Sequence, residues 1–181
     1  APPRRVELRN LSTGAIQSWQ DIQSFTFSAN STYLVLRRRP ANTGGAGRAG
    51  NAGGGDNGGA PAGGGGANAQ GAEAAPAGPR GVDVTVHNLA TGRDQLLGSV
   101  GDIAFNKSGE LLAYTVDAAV KDSNGLFVLD LRNGRINTLD NDAKNYNRLT
   151  WSDDGTALAV LKGTDVEKMR EKNNVLLVFG D

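Results

Sequence analysis

Apolar and polar residues alternate along Val6-Glu7-Leu8-Arg9-Asn10-Leu11, and the run stops at Ser12-Thr13-Gly14. A period of two with a glycine turn behind it predicts a β-strand leading into a tight hairpin. The cadence returns at Val84-Thr85-Val86-His87-Asn88-Leu89-Ala90-Thr91-Gly92, and again at Leu126-Phe127-Val128-Leu129-Asp130-Leu131-Arg132-Asn133-Gly134. A second element follows each time, two short apolar runs around a four-residue polar turn. Its three copies are Phe25–Ser28 with Tyr33–Leu36, Ile103–Asn106 with Leu111–Tyr114, and Leu149–Ser152 with Ala157–Val160.

Phe27 and Phe105 are 78 positions apart, or 38 once the 40 residues of 41–80 are set aside, and Trp151 lies 46 beyond Phe105. Both spacings are near the roughly 40 to 45 residues of a four-stranded propeller blade. With strands lettered a to d outward from the propeller axis, one unit reads a around Phe27, b Tyr33–Arg38, c Val82–Leu89 and d Asp94–Leu97. The next reads a Ile103–Asn106, b Leu111–Val116, c Leu126–Leu131 and d Ile136–Leu139. A third starts at Leu149 and stops at strand c, Val175–Phe179, while only a c strand, Val6–Leu11, and a d strand, Ala15–Trp19, precede them. Thr-Gly or Asn-Gly at the c–d corner, and Gly109 and Gly155 at the a–b corner, supply the positive-φ residue that tight turns need. Ser31 stands at that place in the first unit, so its turn is expected to be looser.

The fold expected is all-β: an antiparallel β-propeller segment of about three four-stranded blades, incomplete at both ends. A non-propeller sandwich is the alternative, and it gives no reason for the regular period. Residues 1–40 hold the half blade and the first two strands of the next, and residues 81–181 the remaining blades. Between them, residues 41–80 are almost entirely Gly, Ala, Asn and Pro, without an aromatic or branched apolar side chain. No hydrophobic gain there can offset a chain entropy of roughly 1 to 2 kcal/mol per ordered residue, so the segment is read as a disordered insertion. Helical spacing is confined to a turn or two near Asp165–Lys172. A closed propeller needs at least four blades, and the chain is therefore expected to belong to a larger protein or to oligomerise. That it opens on Ala1 rather than Met fits an internal piece of a longer chain.

Charge and composition remove several functions. Lys and Arg total 19 and so do Asp and Glu, which leaves no field to gather nucleic acid or an anionic membrane surface. The chain has no Cys and one His, so thiolate zinc, iron–sulfur clusters, a cysteine nucleophile and a multi-histidine metal site are excluded, while the redox compartment stays open. No run reaches the roughly 18 to 20 apolar residues of a spanning helix, and no signal segment opens the chain.

Candidate sites weaken on inspection. A serine hydrolase needs a G-x-S-x-G elbow, and none occurs. His87, the one possible imidazole base, aligns with Arg9 and Leu129 in the other units, which points to packing or surface coverage. Gly45-Ala46-Gly47-Arg48-Ala49-Gly50 spells G-x-G-x-x-G without the flanking strand and helix that a dinucleotide requires. Asp140-Asn141-Asp142 with Asn145 suggests calcium, but the EF-hand glycine and glutamate positions hold Asn145 and Trp151, so a solvated d–a loop is preferred. Asp153 and Asp154 read as turn residues bonding nearby amides. Arg37-Arg38-Arg39, together with Arg4 and Arg5, could mark an anionic partner, but three charges are too few to dominate a neutral domain, so the run reads as keeping the end of a b strand solvated, and Trp19 and Trp151 as packing residues. No catalytic, cofactor-binding or metal-binding residue is assigned, and no cofactor is expected. The b–c connections, 41–80, Asp117–Asn124 and 163–173, vary in length on one face of the propeller, as on a face that meets a partner or gates an opening, or one that merely tolerates insertion.

Trp151-Ser152-Asp153-Asp154-Gly155-Thr156-Ala157-Leu158-Ala159 resembles the W-S-P-D-G-x-x-L-A signature of TolB-type, WD-repeat-like propeller blades, with Asp153 in the usual proline place. The order of features is more specific. An L-x-T-G blade, an Arg-rich strand broken by a Gly/Ala-rich insertion, V-H-N-L-A-T-G-R and a charged Lys162–Asn173 excursion resemble the N-terminal propeller of bacterial prolyl oligopeptidase-family serine peptidases. The resemblance implies that the propeller limits access of a peptide substrate to an α/β-hydrolase domain with a Ser-Asp-His triad, which nothing in this chain matches. It also implies a periplasmic or secreted location, with the remainder of a larger chain as partner. The rival reading is a TolB-type protein-binding propeller that serves as an assembly platform.

Overall fold

The computed structural model describes residues 5–40, 81–164 and 173–180. The Gly/Ala-rich segment, with its G-x-G-x-x-G match, and the expected helical turn near 165–172 lie outside them. Strands β1 (Arg5–Arg9) and β2 (Ile16–Gln20) form an antiparallel pair with Val6 opposite Trp19. Then β3 (Ile22–Phe27), β4 (Tyr33–Arg38), β5 (Val82–Asn88), β6 (Asp94–Phe105), β7 (Leu111–Val116), β8 (Gly125–Asp130) and β9 (Arg135–Asn141) follow in chain order as one antiparallel sheet. A third sheet holds β10 (Asn145–Trp151), β11 (Leu158–Thr164) and β12 (Asn173–Phe179).

These are the expected blades with one difference. The d strand of one unit and the a strand of the next are not separate: both belong to β6, which bends at a register shift between Val100 and Ile103, next to Ser99 at φ 52°. Blade I is β3, β4, β5 and the first half of β6. Blade II is the second half of β6 with β7, β8 and β9, blade III is β10 to β12, and β1 with β2 make a half-blade. Strands β3 and β10 carry the same kind of bulge, between Ile22 and Ser24 and between Asn147 and Thr150.

Alternation along these strands does not sort core from solvent; it sorts one neighbouring blade from the other. On β4, Leu34 and Leu36 turn towards the half-blade, onto Val6, Leu8 and Trp19. Val35 turns the opposite way, into a cluster with Val84, Val86 and Leu97 that receives Leu112, Tyr114 and Leu129 from blade II. On β7 the pattern repeats, with Ala113 facing Tyr146, Leu158 and Val160 of blade III. Burial on both faces explains why the b and c strands are nearly continuous apolar runs.

The a–b turns also stack from blade to blade. A Cβ on Gly109 would lie 3.0 Å from the backbone nitrogens of Ala29 and Asn30 in the preceding turn, and one on Gly155 would lie 3.0 Å from Lys107. Glycine is therefore set there by close approach as well as by φ of 72° and 78°. The expectation of a looser turn at Ser31 is corrected. Ser31 adopts φ 54°, and its N–H donates to the Ser28 carbonyl at 2.9 Å, as Gly155 does to Ser152. The Ser28 hydroxyl also accepts from the Tyr33 amide at 3.0 Å. A serine is tolerated because, among the described residues, no preceding a–b turn crowds its Cβ.

Candidate functional site

On the face of the c–d turns, His87 is 1% exposed, wedged between blade I and the half-blade. Its Nδ1 donates to Asp94 Oδ1 at 2.6 Å, and the Trp19 indole, edge-on to the imidazole at 4.9 Å, donates Nε1–H to Asp94 Oδ2 at 3.2 Å. One carboxylate thus ties a blade I strand to the half-blade. A groove of about 390 Å³ opens beside it, lined by Leu8, Gln17, His87 and Leu89 among others. Among the described residues no hydroxyl hydrogen-bonds the imidazole, so a nucleophile–base pair of the triad kind is not assembled around His87 here.

The opposite face carries the b–c and d–a connections. Lys162 on β11 reaches back to blade II, with Nζ at 2.8 Å from Asp140 and 2.9 Å from Asp142. Buried Tyr146 donates its hydroxyl to Asp140 at 2.6 Å, and Lys162 stands over its ring. The d–a loop is solvated at Asn141 and Ala143, and its flanking Asp140 and Asp142 in addition clasp a lysine across a blade boundary. Partial burial pushes the Asp140 carboxyl up, but hydrogen bonds from Lys162 and Tyr146 outweigh it and hold the group below the usual carboxylate range. Those two carboxylates raise Lys162, while burial and then Asp140 raise Tyr146.

Because the Asp140 pKa is depressed in the folded state, its contribution is present above the ordinary aspartate range and is lost as the pH falls from that range through the lowered folded-state value. Lys162→Met should cost about 1 kcal/mol at pH 7, since the pair is only partly shielded from water. The difference from wild type should shrink below roughly pH 4, where aspartates protonate. Urea titrations of both proteins at pH 7 and pH 3 check this, and an equal difference at both would remove the ionic explanation.

Beside the clasp, the loop after β7 makes a 3-10 turn at Lys121–Ser123. It is pinned by buried Asn124, whose Oδ1 accepts from the Ala118 amide at 2.8 Å and whose Nδ2 donates to the Lys144 carbonyl at 3.0 Å. Lys121 bridges Asp117 and Asn145 at 3.2 and 3.1 Å. On the inner strands, Trp151 donates Nε1–H to the Ala104 carbonyl at 3.0 Å. The backbone N–H of Arg148, which sits at φ 55°, donates to Asp102 Oδ2 at 2.9 Å. Asp154 behaves as expected of a turn residue: its carboxyl is pushed down to about 2 by the Ser152 hydroxyl and the Thr156 amide. Of the arginine run, Arg37 contacts the Val100 carbonyl at 3.4 Å while Arg38 and Arg39 are exposed.

The structure thus separates the residues singled out in sequence. His87 and Trp19 meet on one face, and Asp140, Asp142 and Asn145 lie on the other. The pairings with Asp94, Lys162 and Tyr146 had no sequence signal, since they depend on how blades stack.

No protein-family model matches the chain, and no curated protein matches it in sequence. Among solved structures it is similar to the β-propeller domain of the Trilobed protease from Pyrococcus furiosus, at TM-score 0.55 and 8% identity, over 99% of this chain and 46% of that one. TolB from Acinetobacter baumannii matches at TM-score 0.43 and 15% identity, covering 94% of this chain and 34% of that one. An acylaminoacyl peptidase from Pyrococcus horikoshii matches at TM-score 0.38 and 16% identity, over 49% of this chain and 14% of that one. The chain spans less than half the length of the first of these, and the fold is that of a partial β-propeller.

Proposed function

We propose that the chain is the non-catalytic propeller portion of a prolyl oligopeptidase-like serine peptidase, limiting substrate access to a hydrolase domain. The observation that supports this reading is the likeness, over nearly its whole length, to about half of a protease's propeller domain. The acyl-transfer chemistry would belong to the hydrolase domain, with this chain excluding large substrates. Strands β4 and β5, which flank residues 41–80 in sequence, pair with each other, with Arg37 opposite Val84. A periplasmic or secreted location goes with the same reading. Among the described residues no helix is long and apolar enough to cross a membrane.

The test is the polypeptide that carries this segment in its natural reading frame. It should cleave short peptides faster than long ones. Excising the propeller should remove that discrimination while leaving hydrolysis of a small ester. The isolated chain should turn over neither substrate. Ester turnover by the isolated chain that His87→Ala abolishes would overturn the reading. A reading frame with further blades and no nucleophile elbow would overturn it too, in favour of a protein-binding platform.

A further inference from the structure

The three c–d corners share one construction. In each, the glycine N–H donates at 2.8 Å to a carbonyl across the turn: Gly14 to Asn10, Gly92 to Asn88 and Gly134 to Asp130. The residue before the glycine turns its side chain to accept from the amide two positions on. Thr13 accepts from Ala15 at 3.3 Å and Thr91 from Arg93 at 3.4 Å, each through its hydroxyl. At the blade II corner the acceptor is the side-chain amide oxygen of Asn133, which takes the Arg135 N–H at 2.8 Å, while Nδ2 donates to Asp130 Oδ2 at 2.8 Å. A threonine hydroxyl does that work without consequence. An amide does it with an electrophilic carbon set beside the main-chain nitrogen of a residue that has no side chain to shield it.

We propose that Asn133 is a self-modification site, an asparagine that the blade II corner converts to aspartate and isoaspartate. Gly134 N gives its proton to hydroxide and attacks Asn133 Cγ. The negative charge that gathers on Oδ1 lies under the Arg135 N–H, a donor already in place. Nδ2 takes up a proton from water and leaves as ammonia, and a second water opens the cyclic imide at either carbonyl. Gly134 N and Asn133 Nδ2 are both tied to Asp130, which keeps the attacking and leaving nitrogens in one turn. Both residues are exposed, so water reaches every step, and the outward tip of a hairpin releases the Gly134 N–H at little cost.

The same dipeptide recurs at Asn124-Gly125, where its surroundings oppose the reaction. Asn124 is fully buried, its Oδ1 and Nδ2 are committed to Ala118 and Lys144, and Gly125 is held in β8 between Val116 and Asn141. A third copy, Asn57-Gly58, lies outside the described residues. Conversion of Asn133 places a new carboxylate against Asp130, so a hydrogen bond gives way to a like-charge contact at the corner that Arg132 and Asp130 brace. The isoaspartyl product also reroutes the main chain through the side-chain carbon. A chain of balanced charge becomes acidic, and none of this depends on the peptidase reading.

The whole chain is kept in mildly alkaline buffer, with and without urea, and conversion at each Asn-Gly is followed by mass-spectrometric peptide mapping and by enzymatic methylation of isoaspartyl carboxylates. Asn133 in the folded chain should convert at about the rate it shows in urea, whereas folding should slow Asn124 by roughly tenfold or more, because its reaction waits on local opening. Asn133→Thr, which installs the residue of the other two corners, should lose the isoaspartate at this corner and leave the β5 and β7 signals unchanged. Folding that suppresses Asn133 by tenfold or more overturns the proposal, as does isoaspartate found at Asn124 in preference to Asn133.

Discussion

Leu129→Ala is expected to lower the unfolding free energy by about 3 kcal/mol, within the roughly 2 to 5 kcal/mol range of buried leucine truncations. Leu129 is fully buried on β8 and faces blade I, packed with Val35, Val86 and Leu112. Collapse cannot close the resulting cavity, because blades I and II are held at fixed spacing by the shared strand β6. The corresponding place in blade I is His87, which fills it with an imidazole tied to Asp94, so the position is filled by different means at successive boundaries. Guanidinium titration of the variant measures the effect, and a loss below about 1 kcal/mol would mean that the blades do not pack as described.

Asn124→Ala should cost about 2 to 4 kcal/mol, nearly as much, for the opposite reason. No apolar contact carries this residue; its amide satisfies the Ala118 N–H and the Lys144 carbonyl in a buried setting. Removing it strands one donor and one acceptor, each costing roughly 1 to 3 kcal/mol if water does not reach it. Asn124→Asp keeps the acceptor for Ala118 and loses the donor to Lys144, so its cost should lie between wild type and alanine only if the new charge finds solvent. Accelerated exchange at the Ala118 amide in Asn124→Ala, with β4 and β5 unaffected, would locate the damage in the loop. Equal acceleration throughout would show that the loop is not a separate unit.

Strands and turns could be read from the sequence because their causes are local. Gly14, Gly92 and Gly134 take φ near 70° at the c–d corners, a demand that a single residue reveals. Ser31 could not be read the same way. What sets it apart is that no a–b turn precedes it among the described residues, and that depends on which blade stands next. The continuity of β6 was hidden by Gly98-Ser99-Val100-Gly101-Asp102, which looks like a loop and is instead a bulged strand. The Lys162 clasp joins residues 20 and 22 positions apart whose meeting depends on the tilt between sheets. Asn124 lies in a polar stretch where nothing sets it apart. The functional reading, by contrast, came only through resemblance, because the blade motif marks a fold and not a role.

Because β6 belongs to two blades, the backbone hydrogen-bond ladder is continuous from β3 to β9, while the half-blade and blade III adhere through side chains and single connections. Cooperativity is therefore uneven along the chain. Blades I and II have to melt together, whereas either flank can peel away without breaking a rung of the central ladder. Tension applied at the two ends would reach the flanks first, and the central pair would yield last, as one mechanical unit.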